Sequence, residues 1–262
     1  MRFSVSKESD CRKVSTRRSY LMCGRFNATA SAEIVAAMES FGFDATGLRK
    51  RWFGDMFNIA PTEAVMVAIQ EGGKRYLREM RWWLTPHWAS EISNKFSMFN
   101  ARAETLEKSR AFSGPFKYRR GVIPASGFIE WRTEKGVKQP YYLKPASGNC
   151  YFAALWDVWL KEEHYLETCA IITTEASDSI RWLHDRMPAL LSPDQFDAWI
   201  DPATPLSEVR AMLVPRDLSD WEIIPINSSI GAAANKSSDA IQPINTTVRD
   251  EKLNQFEQAE LF

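Results

Sequence analysis

Residues 63–84 read EAVMVAIQEGGKRYLREMRWWL. Glu63–Gln70 and Tyr76–Leu84 are strand-like runs, and Glu71-Gly72-Gly73-Lys74 between them has turn composition, so the stretch predicts a β-hairpin. Working outward, Gly121–Trp131, Gln139–Lys144, Asn149–Asp157 and Tyr165–Thr174 read as further strands. Helices are expected at fewer places. In Ser31–Phe41 the residues Ile34, Val35, Met38 and Phe41 recur at helical spacing behind a Thr29/Ser31 cap. Ala103–Phe112 reads as a second helix, and Pro193–Ile200 and Pro205–Leu213 as short ones, each opened by a proline. Strands dominate the middle of the chain, so the expected fold is a single α+β domain around a largely antiparallel sheet with inserted helices. Residues 1–21 read as a flexible extension, 22–248 as the domain and 249–262 as a charged tail.

The bulk composition narrows the function classes. The 262 residues are 45% hydrophobic and 25% charged, as in a soluble globular protein. No apolar run approaches the ~20 residues of a membrane helix, and the N-terminus lacks the apolar core of a secretory signal. Four scattered cysteines without a CxxC pair, and three histidines, argue against a zinc site and for a reducing cytoplasm. No cofactor or metal is expected. The 33 basic and 33 acidic residues cancel, which argues against a general nucleic-acid coat. The charge is unevenly spread, however. Residues 102–120 hold six basic residues (Arg102, Lys108, Arg110, Lys117, Arg119 and Arg120) against Glu104 and Glu107, so one basic face or a solvated helix face would each fit.

Five stretches mix reactive groups with glycine, proline or tryptophan. They are Met22-Cys23-Gly24-Arg25-Phe26, Asn58-Ile59-Ala60-Pro61, Asn100-Ala101-Arg102-Ala103-Glu104, Gly127-Phe128-Ile129-Glu130-Trp131 and His184-Asp185-Arg186-Met187-Pro188. Between them they carry a thiol, an amide, a carboxylate and an imidazole, a set that can supply a nucleophile, an orienting group and acid/base partners. Each residue also has an ordinary reading. A lone cysteine is commonly a small buried hydrophobe. Glu130 alternates with Ile129 and Trp131 and faces either solvent or a pocket. Asn100 can cap the helix that follows, Arg102 and Glu104 can form an ion pair, and most of the ten tryptophans can be core. His87 and His164 read as surface residues.

Taken in order, and with Arg81-Trp82 and Leu155-Trp156 between them, the five stretches resemble the SRAP family, the SOS-response-associated peptidase domain. The resemblance runs from Met22 to about Pro243 and implies a barrel-like sheet. It implies a sensor and shield of abasic sites in single-stranded DNA, in which the initiator methionine is removed and the exposed cysteine forms a thiazolidine with the ring-opened sugar. Carried onto this chain, Cys23 is the nucleophile, Asn100 and Glu130 the catalytic polar groups and His184 the imidazole. Arg25, Arg102 and Arg186 become candidates for phosphate contacts, Asn58 and Trp131 candidates for DNA binding, and Pro61 and Trp82 neighbours of the interrupted strand. A monomer, cytoplasmic and gathered on DNA during repair, is expected. Trp83 departs from the family pattern, standing where a glycine is usual.

The chemistry suits a terminal cysteine. An α-amine titrates near 7.7–8.0, so roughly a tenth is neutral at pH 7, whereas lysine, near 10.4, has well under a thousandth in that form. The amine can form an imine and the nearby thiol can close the ring in an effectively unimolecular step. Two other readings compete: a cysteine peptidase with Cys23, His184 and Asn100 as nucleophile, base and orienter, and a non-catalytic single-stranded nucleic-acid binder. The 21 residues before Met22 matter here, because with them attached Cys23 has no free amine. Translation from Met22, cleavage of the extension, or loss of the thiazolidine reaction would each account for them, and the first is the expectation. Protein isolated from its own host should therefore begin at Cys23 by intact-mass spectrometry, and a mass beginning at Met1 would count heavily against the thiazolidine chemistry.

Overall fold

The hairpin is the central element of the computed structural model, which describes residues 24–134 and 136–244. Met22, Cys23 and the 1–21 extension lie outside the described residues, as do Lys135 and the tail after Arg249. In chain order the strands are β1 (Arg25–Ala28), β2 (Met56–Ile59), β3 (Ala64–Glu71), β4 (Lys74–Trp82), β5 (Asn100–Arg102) and β6 (Arg120–Ala125). They continue with β7 (Gly127–Glu134), β8 (Val137–Pro145), β9 (Cys150–Lys161), β10 (His164–Glu175), β11 (Arg186–Pro188) and β12 (Trp221–Pro225). The α-helices are α1 (Ser31–Ser40), α2 (Ser113–Tyr118), α3 (Phe196–Ile200) and α4 (Leu206–Ala211).

Strands β3 and β4 pair antiparallel from Glu71↔Lys74 to Ala64↔Arg81. Gly72 and Gly73 both hold positive φ, at 58° and 75°, the backbone that a tight two-residue hairpin turn requires. From this hairpin a barrel closes. β3 pairs β6, β6 pairs β9, β9 pairs β10, and β10 returns to β4, the last pairing being parallel. Val65, Val67, Ala68 and Ile69 are fully buried, so this strand is covered on both faces. A second, open sheet has the order β12-β8-β7-β1-β2. It packs on the barrel through Phe26, whose ring lies 5.2 Å from Trp82 and 5.6 Å from Phe152, edge to face in both cases.

Several sequence expectations are corrected. The single strand read over Gly121–Trp131 is two: β6 belongs to the barrel and β7 to the open sheet, and the chain changes sheet at Ser126. There Ser126 N–H donates to Asn27 O at 2.9 Å, which turns the chain while the side-chain alternation continues. The helix read over Ala103–Phe112 is a 3-10 helix, Ala103–Lys108, ended by extended Ser109. Of that turn only Leu106 is fully buried, with the small Ala103 packed beside the core, too little apolar surface to hold a full α-helix against the barrel. Pro193–Gln195 is likewise a 3-10 turn ahead of α3. The expected Thr29/Ser31 cap of α1 is replaced by Ala30 in the left-handed region, with its N–H donated to Asp55 Oδ1 at 2.6 Å. Ser31 Oγ donates instead to Ala28 O.

The basic stretch 102–120 does not form one face. Arg110 lies over Trp88, 4.1 Å from the ring centroid, and Arg119 pairs with buried Asp157 at 3.0 Å. Arg120 is 2% exposed. Its guanidinium donates to Phe116 O and Lys117 O at 2.8 Å, to Trp199 O at 2.6 Å and to Asp201 O. One buried cation thus satisfies carbonyls at the ends of α2 and α3, which have no further helical partner. Replacing it orphans several buried acceptors at once. Arg120→Met is expected to lower the unfolding free energy by about 3 kcal/mol or more, read by urea denaturation.

Candidate functional site

Strand β1 pairs antiparallel with β7, matching Arg25 to Ile129 and Asn27 to Gly127. Gly127 explains why this stretch opens with glycine. A Cβ there would meet the Leu143 carbonyl, a Tyr142 ring carbon at 2.7 Å and Lys144 Cβ at 2.9 Å, so any side chain would push β7 off β8. Three residues on, Glu130 is 1% exposed, between Ile129 at 0% and half-buried Trp131. Of the two positions alternation left open, the buried one is taken. Burying a carboxylate is costly, so the residue is kept for more than solubility. Its cross-strand neighbour is Tyr141. Arg25 lies 5.8 Å from the Trp131 ring centroid, and its Nη2 donates to Gly231 O at 3.3 Å. Burial pulls the Arg25 guanidinium below its ordinary pKa, with nearby Glu63 opposing the shift.

The amide of Asn58 does different work from that expected. Asn58 is fully buried, with φ at 51°. Its N–H donates to Asn27 Oδ1 at 2.8 Å. Its Nδ2 donates to the carbonyls of Ile230, Ala232 and Asn235 at 3.1, 3.0 and 2.8 Å. Lys236 Nζ donates to Asn58 O at 2.8 Å and to Glu63 at 2.6 Å. Asn58 therefore fastens residues 230–236 beside Arg25 and presents no surface to a bound strand. Trp82 is corrected in the same way. It is fully buried, its Nε1 donates to Phe99 O at 2.8 Å, and its ring is packed edge to face by Phe26 and Phe99. Pro61 is half-buried.

A second group gathers at the C-terminal end of β10. Strand β5 runs parallel to it, matching Asn100 to Ile171 and Arg102 to Thr173, while β11 matches Arg186 to Glu175. Asn100 is half-buried inside β5 and does not cap the following turn, whose N-cap position is Arg102. Arg102 is exposed. Glu104 pairs with Arg186 rather than with Arg102: Arg186 Nη1 donates to Glu104 Oε1 at 2.6 Å and Nη2 to Thr173 O at 2.6 Å. Burial raises the Glu104 pKa, but the bonds and charge of Arg186 outweigh it and hold the carboxyl below its ordinary value. With Arg186 8% exposed and so engaged, its guanidinium braces the site more than it faces solvent.

His184 has an 8% exposed side chain. Arg186 N–H donates to its Nδ1 at 3.0 Å, and Asp185 Oδ1 also lies 3.0 Å from that nitrogen. Nδ1 can serve one of them at a time: accepting from Arg186 leaves the proton of a neutral ring on Nε2, whereas a protonated ring donates to Asp185. The His184 turn reaches the Glu130 strand through Trp182. That ring lies 5.4 Å from Tyr141 at 90°, with Arg132 Cζ 5.1 Å from its centroid. Tyr141 is opposite Glu130, and Arg132 is two residues along the same face. Sequence reasoning missed Trp182, Arg132 and Tyr141. The alternation of Glu130 and Arg132 was the one available signal.

The structure therefore places Arg25, Glu130 and Trp131 on the open sheet, with Glu130 on the face opposite to Arg25 and Trp131. It brings Asn100, Arg102, His184 and Arg186 together at the end of β10, and joins the two groups through Trp182. Cys150 and Cys169 are buried thiols whose pKa burial pushes up, so both are held protonated and inert. Five tryptophans (Trp52, Trp82, Trp156, Trp159 and Trp199) are core, and His164 is exposed. His87 has a 60% exposed side chain, anchored to Asp157 at 3.1 Å. Among the described residues no group of three or more His, Cys, Asp and Glu could hold a metal ion.

Comparison with known proteins gives a consistent relationship. A family model described as SOS response associated peptidase (SRAP) matches residues 22–233. The chain is 32% identical over 228 residues to the abasic site processing protein YoaM of Bacillus subtilis, covering 86% of this chain and 99% of that one. It is 34% identical over 225 residues to YoqW of the same organism, also called an abasic site processing protein, covering 84% and 99%. A solved structure of a Bacteroides thetaiotaomicron protein superposes with a TM-score of 0.72 at 21% identity, covering 84% of this chain and 100% of that one. This last likeness shows the fold. Because the site depends on β7 lying close on β8, Gly127→Ala is expected to cost about 1–3 kcal/mol of stability, measured by thermal or urea unfolding.

Proposed function

The chain belongs to the SRAP family, and on that premise we propose that it processes abasic sites in single-stranded DNA by covalent capture through Cys23. The observation that carries the reading is Glu130, a carboxylate 1% exposed on the strand paired with β1, which begins two residues after Cys23. In this reading the α-amine of terminal Cys23 attacks the C1′ aldehyde of the ring-opened sugar. A C–N bond forms, the carbonyl oxygen leaves as water, and an imine results. The thiol sulfur then adds to the imine carbon while its proton passes to the nitrogen, closing a five-membered thiazolidine. Glu130 shuttles protons in these steps, His184 protonates the sugar oxygen on ring opening, and Asn100 orients the amine or a sugar hydroxyl. The inertness of Cys150 and Cys169 supports Cys23 as the nucleophile.

The grip needs no net charge if it is local. Arg25 and exposed Arg102 are the cations offered to phosphates, and half-buried Trp131 is the ring offered to a base. Arg186 acts one step back, bracing β5 and β11 through Glu104 and Thr173. Protein beginning at Cys23, incubated with an abasic oligonucleotide, is expected to give a shifted band that survives a denaturing gel. Cys23→Ala should abolish the band, and Glu130→Gln should slow its formation by roughly 10²-fold or more. Full-rate cross-linking by Glu130→Gln removes the role given to that carboxylate. Peptide turnover without a stable band would favour the cysteine peptidase instead, and a salt-sensitive native shift alone the binding module.

A further inference from the structure

Trp182 is 43% exposed, yet three contacts hold it. Its ring is perpendicular to that of Tyr141 at 5.4 Å, Arg132 Cζ lies 5.1 Å from its centroid, and its Nε1 donates to Ser179 O at 3.0 Å. It belongs to a tight turn in which Arg181 N–H donates to Ser177 O at 3.0 Å and His184 N–H to Ile180 O at 3.2 Å. Buried Ile180 and Leu183 seat the inner side of that turn in the core. Both ends of the turn are tied to the barrel, since Ala176 N–H donates to Asp185 O at 2.9 Å and Arg186 pairs with Glu175. Trp182 reaches from that turn to the open sheet, and its partners are the cross-strand neighbour of Glu130 and the next residue on the face of Glu130.

We propose that Trp182 is a positioning residue, a latch that holds the His184 turn against the strand pair carrying Glu130. The proposal rests on the reading in which those two side chains share one reaction. Two groups on different sheets keep a common geometry only if the sheets are locked together locally. A displacement of about 1 Å at a reacting group can cost on the order of 10²-fold in rate. The Arg132 guanidinium on the ring and the Tyr141 edge contact supply such a lock without entering the chemistry.

The test measures cross-linking to an abasic single-stranded oligonucleotide with protein beginning at Cys23. Trp182→Ala is expected to lower the rate at saturating DNA by about 10- to 100-fold, with the half-saturating DNA concentration unchanged. Trp182→Phe keeps a ring for Tyr141 and Arg132 and should restore most of the rate. Arg132→Ala should slow the reaction in the same sense, and it keeps the test available if Trp182→Ala folds poorly. An unchanged saturating rate in the alanine variants overturns the latch. So does a rise in half-saturating concentration alone, which would make the ring a base-stacking surface. If the unsubstituted protein forms no cross-link, the reading of the site fails rather than the latch. The His184 imidazole resonances then decide: a shift in Trp182→Ala that Trp182→Phe reverses supports the latch, and unchanged resonances overturn it.

Discussion

Strand β10 is the constraint on which the rest of the molecule hangs. It pairs with β9 along eight residue pairs, from His164↔Lys161 to Ile171↔Ala154. It then meets β4 in parallel at Thr168↔Arg81 and Cys169↔Trp82, which closes the barrel. Beyond that seam its last residues have neighbours on both edges, β5 on one side and β11 on the other. Backbone hydrogen bonds therefore carry Asn100 and Arg186 to one end of one strand, and Arg186 completes the junction by reaching Thr173 and Glu104. Barrel closure and the gathering of the second residue group are one event.

Around that frame, buried polar side chains fasten irregular chain. Arg120 satisfies carbonyls at two helix ends, and Asn58 satisfies three in the segment 230–236. Such groups lose their water on folding, and each is tolerable because most of its donors are bonded. They add little net stability for their number, yet removing one leaves several partners stranded. Glu130 belongs to the same class by burial and to the site by its place on β7.

Much of the strand content was legible in the sequence, because alternation and turn residues are local signals. The Gly72-Gly73 hairpin and strands β8, β9 and β10 fall close to where the residues place them. What was not legible depended on distant partners. Nothing near Ser126 announces that the chain leaves one sheet for another, since the period of two runs on unbroken. Nor does anything near Trp82 announce a parallel partner about ninety residues later. The motifs did not announce the environments of their residues. Asn58 and Trp82 are packed for structure and Arg186 braces two strands, while Glu130, whose alternation allowed either environment, is buried.

The pairing of β1 with β7 also orders events in time. Arg25–Asn27 find Gly127–Ile129 only after a hundred further residues have been made. The Trp182 contact with Tyr141 needs the chain to grow some fifty residues beyond that. Such long-range pairings close late, after the loop entropy between them has been overcome. A partly synthesised chain, or a truncated one, holds its first strand without the carboxylate opposite it and without the imidazole turn beyond. The surroundings of the first strand are therefore assembled from segments made long after it, and they are complete only once most of the barrel exists.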